Sequence, residues 1–216
     1  MFMGMKKILL TFVILISMAI SGFAQYTPFQ FGLNISPGIN MTKANSETII
    51  ETKNNISFNW GFVGNFYFVE NYGFSTGFNI INQKGNYNFI DTNDSIFNCK
   101  IKNQYIEIPL SLIMRTEKFG DFRIFSNIGY GFGICLNTKE EYHNSLDEEI
   151  QISSEFKKIR HALILKLGVE YNVYKSSCLT LALKYNDNFA NIYKSNNSFQ
   201  QNIRLNSLCL EIGFIF

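Results

Sequence analysis

The carboxy-terminal stretch Leu208-Cys209-Leu210-Glu211-Ile212-Gly213-Phe214-Ile215-Phe216 places an apolar side chain at every even position and closes on an aromatic residue. Successive side chains of a β-strand point to opposite faces, so this alternation describes two faces in two different surroundings. The even face is apolar without interruption, while the odd face carries Glu211 and Gly213. A strand with one face in lipid reads this way.

Seven further segments alternate in the same manner, near residues 29–39, 57–68, 73–84, 105–115, 122–135, 160–171 and 179–186, with the last near 204–216. Each is about as long as the 9–11 residues that a tilted strand needs to cross a bilayer. One face collects Phe58, Trp60, Phe62, Phe66, Phe68, Phe74, Phe78, Ile106, Ile108, Leu110, Leu112, Ile124, Ile128, Tyr130, Leu163, Leu165, Leu167, Leu179, Leu181 and Leu183, and no Asp, Glu, Lys or Arg. Aromatics make up 16% of the chain, with 22 Phe and 11 Tyr. A lipid-facing belt accounts for that excess.

The opposite face separates a membrane barrel from a soluble one. A water-facing surface carries abundant charge of both signs, whereas this face offers Ser75, Gly77, Asn79, Gly129, Gly131, Gly133, Gly168 and Gly213. Its few charges balance: Glu107, Glu170 and Glu211 against Arg123, Lys166 and Lys184, with Arg115 near a turn. Buried charges must be paired, so these six predict a salt-bridge network inside a closed barrel. Eight strands enclose an interior just wide enough for its own side chains, which predicts a filled lumen and no diffusion pore. The expected fold is all-β: an eight-stranded antiparallel up-and-down transmembrane barrel of the outer-membrane type.

Connections alternate in length. Short turns join strands two and three, four and five, and six and seven, while residues 41–56, 85–104, 136–159 and 187–203 read as long polar loops on the outer side. Ahead of the barrel, Met5-Lys6-Lys7, an apolar run from Ile8 to Ile20 and the small-residue site Gly22-Phe23-Ala24 read as a cleavable signal peptide over residues 1–24, leaving one domain at 25–216. Localisation in the cell outer membrane follows. Net charge is only +2, which gives no sign of nucleic acid as a partner.

Three stretches carry a family resemblance: Phe31-Gly32-Leu33-Asn34-Ile35-Ser36-Pro37-Gly38, Tyr105-Ile106-Glu107-Ile108-Pro109-Leu110-Ser111-Leu112, and Asn127-Ile128-Gly129-Tyr130-Gly131-Phe132-Gly133 with the later Leu167-Gly168-Val169-Glu170-Tyr171. The chain resembles the small outer-membrane β-barrel domain proteins of Bacteroidota, of which the PorT-like proteins are a branch associated with gliding and type IX secretion. The resemblance implies a location more than an activity. It also implies that Phe214 and Phe216 belong to the carboxy-terminal signal read by the barrel-assembly machinery. Outer-membrane lipid and lipopolysaccharide are the other expected partners, with secretion or surface proteins as candidates beyond them.

Catalytic, cofactor-binding and metal-binding residues are not expected. His143 lies in an acidic segment with Ser145 and Asp147, which reads as a solvated loop. His161 has lipid-facing parity near the outer end of its strand, but Leu163 stands where a rim hydrolase would keep a nucleophilic Ser. Asp91-Thr92-Asn93-Asp94 and Asp147-Glu148-Glu149 lack calcium-loop spacing. Tyr142, Tyr185 and Tyr193 read as interface aromatics. Cys99, Cys135, Cys178 and Cys209 show no paired spacing and read as free thiols, with Cys99 accessible from outside and Cys178 at the other end. Pro109 has no N–H to donate, so a bulge or break is expected beside it.

Overall fold

The computed structural model describes residues 29–44, 49–90, 96–143, 149–150, 156–174, 177–189, 191–193 and 203–216. The signal peptide expected at 1–24 lies outside them, as do Asp91-Thr92-Asn93-Asp94 and Asp147-Glu148.

Among the described residues ten strands follow in order: β1 (Phe29–Ala44), β2 (Ile49–Lys53), β3 (Asn55–Val69), β4 (Tyr72–Ile90), β5 (Ile96–Arg115), β6 (Phe122–His143), β7 (Glu149–Ile150), β8 (Ile159–Tyr174), β9 (Ser177–Asn188) and β10 (Ile203–Ile215). Eight of them form a closed ring in which every neighbour is antiparallel; β2 and β7 are short additions to the far ends of β4 and β6. Closure joins the first strand to the last, from Gly32 opposite Ile215 to Ala44 opposite Ile203. Phe216 fastens the end of that seam: its N–H donates to the Phe31 carbonyl at 2.7 Å, and its carbonyl accepts from the Phe31 N–H at 3.1 Å. Both ends of the ring therefore lie at the short-turn side.

Around the middle of the barrel the apolar parity of every strand faces outward. Leu33, Phe62, Phe74, Leu110, Ile128, Leu167, Leu181 and Phe214 are all strongly exposed on that surface. Hydrocarbon is the solvent such a surface fits, and the closed ladder leaves no backbone edge in it.

Beyond this belt the pattern inverts. Residues 81–90 of β4 turn Ile81, Tyr87 and Phe89 inward and Asn82, Lys84, Asn86 and Asn88 outward. On β5, Cys99 and Ile101 face in while Lys100 and Lys102 face out. Two of the four spans expected as long loops are thus largely strand, since β1 runs to Ala44, β2 fills 49–53 and the β4–β5 hairpin spans most of 85–104, and strand also enters the other two, with β6 running to His143 and β9 reaching Asn188. Alternation persists past the belt with its apolar side reversed, so a search for outward-facing hydrophobics stops at the membrane boundary.

On β6 the strand expected to end at Cys135 instead shifts phase. Tyr105 pairs with Cys135 but Gln104 pairs with Asn137, leaving Leu136 as the extra residue of a bulge. Inward parity changes there from odd, as at Phe125 and Asn127, to even, as at Tyr142.

Pro109 keeps its register with Gly131 of β6, but towards β4 the ladder lapses between Thr76–Leu110 and Asn79–Glu107. The Thr76 hydroxyl donates to the Pro109 carbonyl at 2.9 Å across the lapse. Gly77 sits opposite with φ +152, and a Cβ there would lie 2.0 Å from the Phe62 carbonyl oxygen. Pro37 has the same effect on the closing seam, where β1 and β10 lose pairing between Ile35–Ile212 and Gly38–Cys209.

Candidate functional site

Two features distinguish this barrel from a bare membrane ring: a charged, filled lumen and an apolar plug at the long-strand mouth. The lumen charges form three groups along the axis. Nearest the short turns, Arg115 Nη1 lies 3.6 Å from Glu170 Oε2, with its guanidinium 3.5 Å above the centroid of the buried Tyr67 ring. Arg123 of this layer pairs with Glu70 in the β3–β4 turn at 3.2 Å. In the middle, Glu211 receives Lys166 on one oxygen and Lys184 at 3.5 Å on the other. Lys166 and Lys184 are directly opposite each other on β8 and β9, so the carboxylate between them offsets their repulsion.

The third group pairs Glu107 with Arg160, and both side chains are almost wholly buried. Arg160 is the lumen residue that the sequence reading left out. Its even position on β8, shared with Lys166 and Glu170, is the signal that identifies it. Its reach depends on glycine: β6 separates β5 from β8, and Gly133 is the register partner of both Glu107 and Arg160. A Cβ on Gly131 would lie 2.6 Å from Glu107 Oε2, and one on Gly133 would lie 3.1 Å from Arg160 Cβ. The two absent side chains leave the space that the ion pair occupies.

Of the six charges expected in the lumen, Lys166, Lys184 and Glu211 come together. Glu107, Glu170 and Arg123 each bind a partner outside that set. Beside them lie small voids of about 20 Å³, one between Asn34 and Glu170 and another between Asn79 and Lys184. Each is the size of roughly one water.

At the short-turn end Tyr67, Ile113, Phe125 and Ala182 close the interior. At the opposite mouth Tyr87, Phe89, Cys99, Ile101, Tyr142, Ile192, Tyr193, Ile203 and Leu205 form a larger cluster. Residues 191–193 cross the opening: the Ile192 N–H donates to Ile203 at 3.0 Å, and Asn191 Oδ1 accepts from the Ile203 N–H at 3.0 Å. The polar atoms of the plug converge on Glu140, which accepts from Tyr142 at 2.6 Å, from Tyr193, and from the Cys99 thiol at 3.5 Å. Tyr87 and Tyr193 join hydroxyls at 2.7 Å. Burial pushes the phenols of Tyr87 and Tyr193 and the thiol of Cys99 well above their ordinary ranges, so all three are neutral.

These contacts revise three sequence assignments. Tyr142 and Tyr193 are plug residues, 5% and 3% exposed, and do not lie at a lipid interface. Cys99 is fully buried, and so is not accessible from outside. Cys178 is buried at the opposite end, beside Ile215. The four cysteines are free thiols.

The remaining candidates lie apart. His161 is half-buried on the outer surface, with its Nδ1 bonded to the Tyr130 hydroxyl and its ring 5.8 Å from Phe132. His143 ends β6 opposite Asn98 and Glu149. Phe214 and Phe216 are exposed on the belt, with ring centroids 6.3 Å apart.

Several solved structures are similar to this chain. The outer membrane protein OprG of Pseudomonas aeruginosa superposes with a TM-score of 0.50 at 12% identity, covering 86% of this chain and 95% of its own. Neisserial surface protein A gives 0.49 at 13% identity, with 88% and 96% covered. The attachment invasion locus protein Ail of Yersinia pestis gives 0.44 at 11% identity, with 88% and 100% covered. At such identities the likeness to OprG concerns the fold. No curated protein matches the chain in sequence. Residues 23–194 match the family described as outer membrane protein beta-barrel domain. With a closed eight-stranded ring, an apolar belt and that match over most of its length, the chain belongs to the outer membrane protein beta-barrel domain family and is an outer-membrane protein.

Proposed function

We propose that this is a non-enzymatic barrel that acts as a rigid surface scaffold, with recognition carried by the strand ends that project beyond the membrane. The observation that supports this most directly is the polarity inversion: past the belt the strands continue, exposing Asn, Lys and Glu around an apolar core. Strands packed over such a core hold a fixed shape, and function concentrates on connections held by a rigid frame. The filled lumen argues against transport through the barrel, and His161 is held on the outer surface by Tyr130 and Phe132, with Leu163 where a rim hydrolase would keep a nucleophilic Ser.

Photo-crosslinking residues placed at Lys84 and Asn88 in intact cells test the reading. A discrete cross-linked protein or glycan partner, lost when the β4–β5 hairpin is trimmed between Tyr87 and Cys99, is the expected result. No adduct at any outward position of the extension, together with an unchanged phenotype on trimming, would refute it.

A second reading draws on the same projecting surface: an accessory component of secretion or envelope machinery, of the PorT-like kind. Recovery of secretion proteins with the tagged barrel favours it, and an unchanged secretome in a deletion strain removes it.

A further inference from the structure

Above the apolar belt five outward basic side chains face one another in register, whereas Lys100 lies opposite Glu141. Lys84 of β4 stands directly opposite Lys102 of β5, and Lys102 directly opposite Lys139 of β6. Across the closing seam, Lys43 of β1 stands opposite Arg204 of β10. Like charges facing each other across strands are destabilising. Among the described residues only Lys102 of these five has an acidic partner, Glu141 at 2.9 Å. Glu51, which lines the same surface hollow as Lys43 and Arg204, pairs with Lys53 at 3.7 Å. A chain with a net charge of +2 thus gathers five cations in two in-register groups.

Their height explains the arrangement. Lys43, Lys84, Lys102 and Arg204 each lie four positions beyond an aliphatic residue of the belt: Ile39, Ile80, Ile106 and Leu208. Lys139 shares their level through its pairing with Lys102. Four residues advance about 13 Å along a strand, or roughly 10 Å above the hydrocarbon at the usual barrel tilt. A headgroup layer is about 5–7 Å deep. Long basic side chains anchored just above that layer can lower their charge into it.

We propose that these residues form a basic collar that binds the phosphate-bearing headgroups of the surrounding outer-leaflet lipid. The three-strand row Lys84–Lys102–Lys139 is its main contact. The inference rests on the outer-membrane placement but not on the proposed scaffold role. Phosphate supplies the counter-charge that the ladder lacks, and the collar fixes the height and rotation of the barrel in the leaflet.

The full barrel is reconstituted in phosphatidylcholine bilayers, with or without lipid A as the phosphorylated lipid, and its thermal unfolding midpoint is read. The variants are the combined Lys84→Gln, Lys102→Gln and Lys139→Gln, and Lys118→Gln in the short β5–β6 turn as control. Lipid A is expected to raise the midpoint of the wild type and the control by several degrees and to raise that of the triple variant by less than half as much. In phosphatidylcholine alone the triple variant is expected to be at least as stable as the wild type, because it relieves repulsion. The proposal is overturned by an equal lipid A effect in all three proteins. It is also overturned by inorganic phosphate reproducing the effect. Loss of stability in the triple variant already in phosphatidylcholine overturns it too, since acidic groups of the chain itself would then be satisfying the row.

Discussion

At the scale of single residues, the lumen depends on pairs that neither partner can leave. Glu107 and Arg160 lie inside a low-dielectric wall, and removing one leaves the other charged and buried. Such a loss costs about 3–5 kcal/mol, whereas replacing both partners by apolar groups of similar volume is often close to neutral. Glu107→Leu and Arg160→Met should each destabilise the barrel in urea titration from lipid vesicles, and the double variant should recover most of the difference. Additive losses would mean that the two side chains act independently. Parity is local, so it gives the inward face of Glu107, Glu170 and Glu211 but not that of Glu140, which lies past the Leu136 bulge. Pairing was not legible, because it depends on which strands meet around the ring. Arg160 shows the distinction: its place in the lumen is set by its even number on β8, but its partner is set by two glycines on the strand between.

Among the elements, the belts of all eight staves were readable from alternating hydrophobicity, and the strand ends were not. Past Ile80 on β4 and Ile106 on β5 the alternation continues, with lipid replaced by water outside and the plug inside. A polar outward face reads as a loop unless the inward face is read with it. On β6 the Leu136 bulge also reverses the phase, so no single parity describes the strand. The break expected beside Pro109 follows from its missing N–H, and it lies on the β4 side only. Thiol labelling in intact cells distinguishes these positions. Cys99 should resist an impermeant maleimide until the protein is denatured, because it is buried and its thiol is held protonated. In a cysteine-free background Lys84→Cys should react from outside and Lys118→Cys should not. Labelling of Lys118→Cys but not Lys84→Cys would reverse the orientation of the barrel.

For the whole molecule, closure decides what can pass. Tyr67, Ile113 and Phe125 close one end, the Tyr87–Tyr193 cluster closes the other, and the buried ion pairs of Glu211 and Glu107 lie between. Planar-bilayer recording of the intact barrel should give no conductance steps, and reproducible steps of uniform size would show that the plug opens. The ring itself was legible from eight alternating segments and their even count. The plug was not, because Ile192 and Tyr193 come from a connection whose role depends on where the other strands place the mouth.

The reversal of polarity along the strands also bears on how the finished barrel keeps its place in the membrane. Burying Tyr87, Phe89, Ile101, Ile203 and Leu205 contributes about 1.5–3 kcal/mol each, and that contribution exists only where the outward Asn and Lys side chains meet water. The plug is therefore stable with water around the strand tips and not with hydrocarbon around them. Once formed, it opposes their return, acting as a latch that closes on the far side and keeps the finished barrel from slipping back through the membrane.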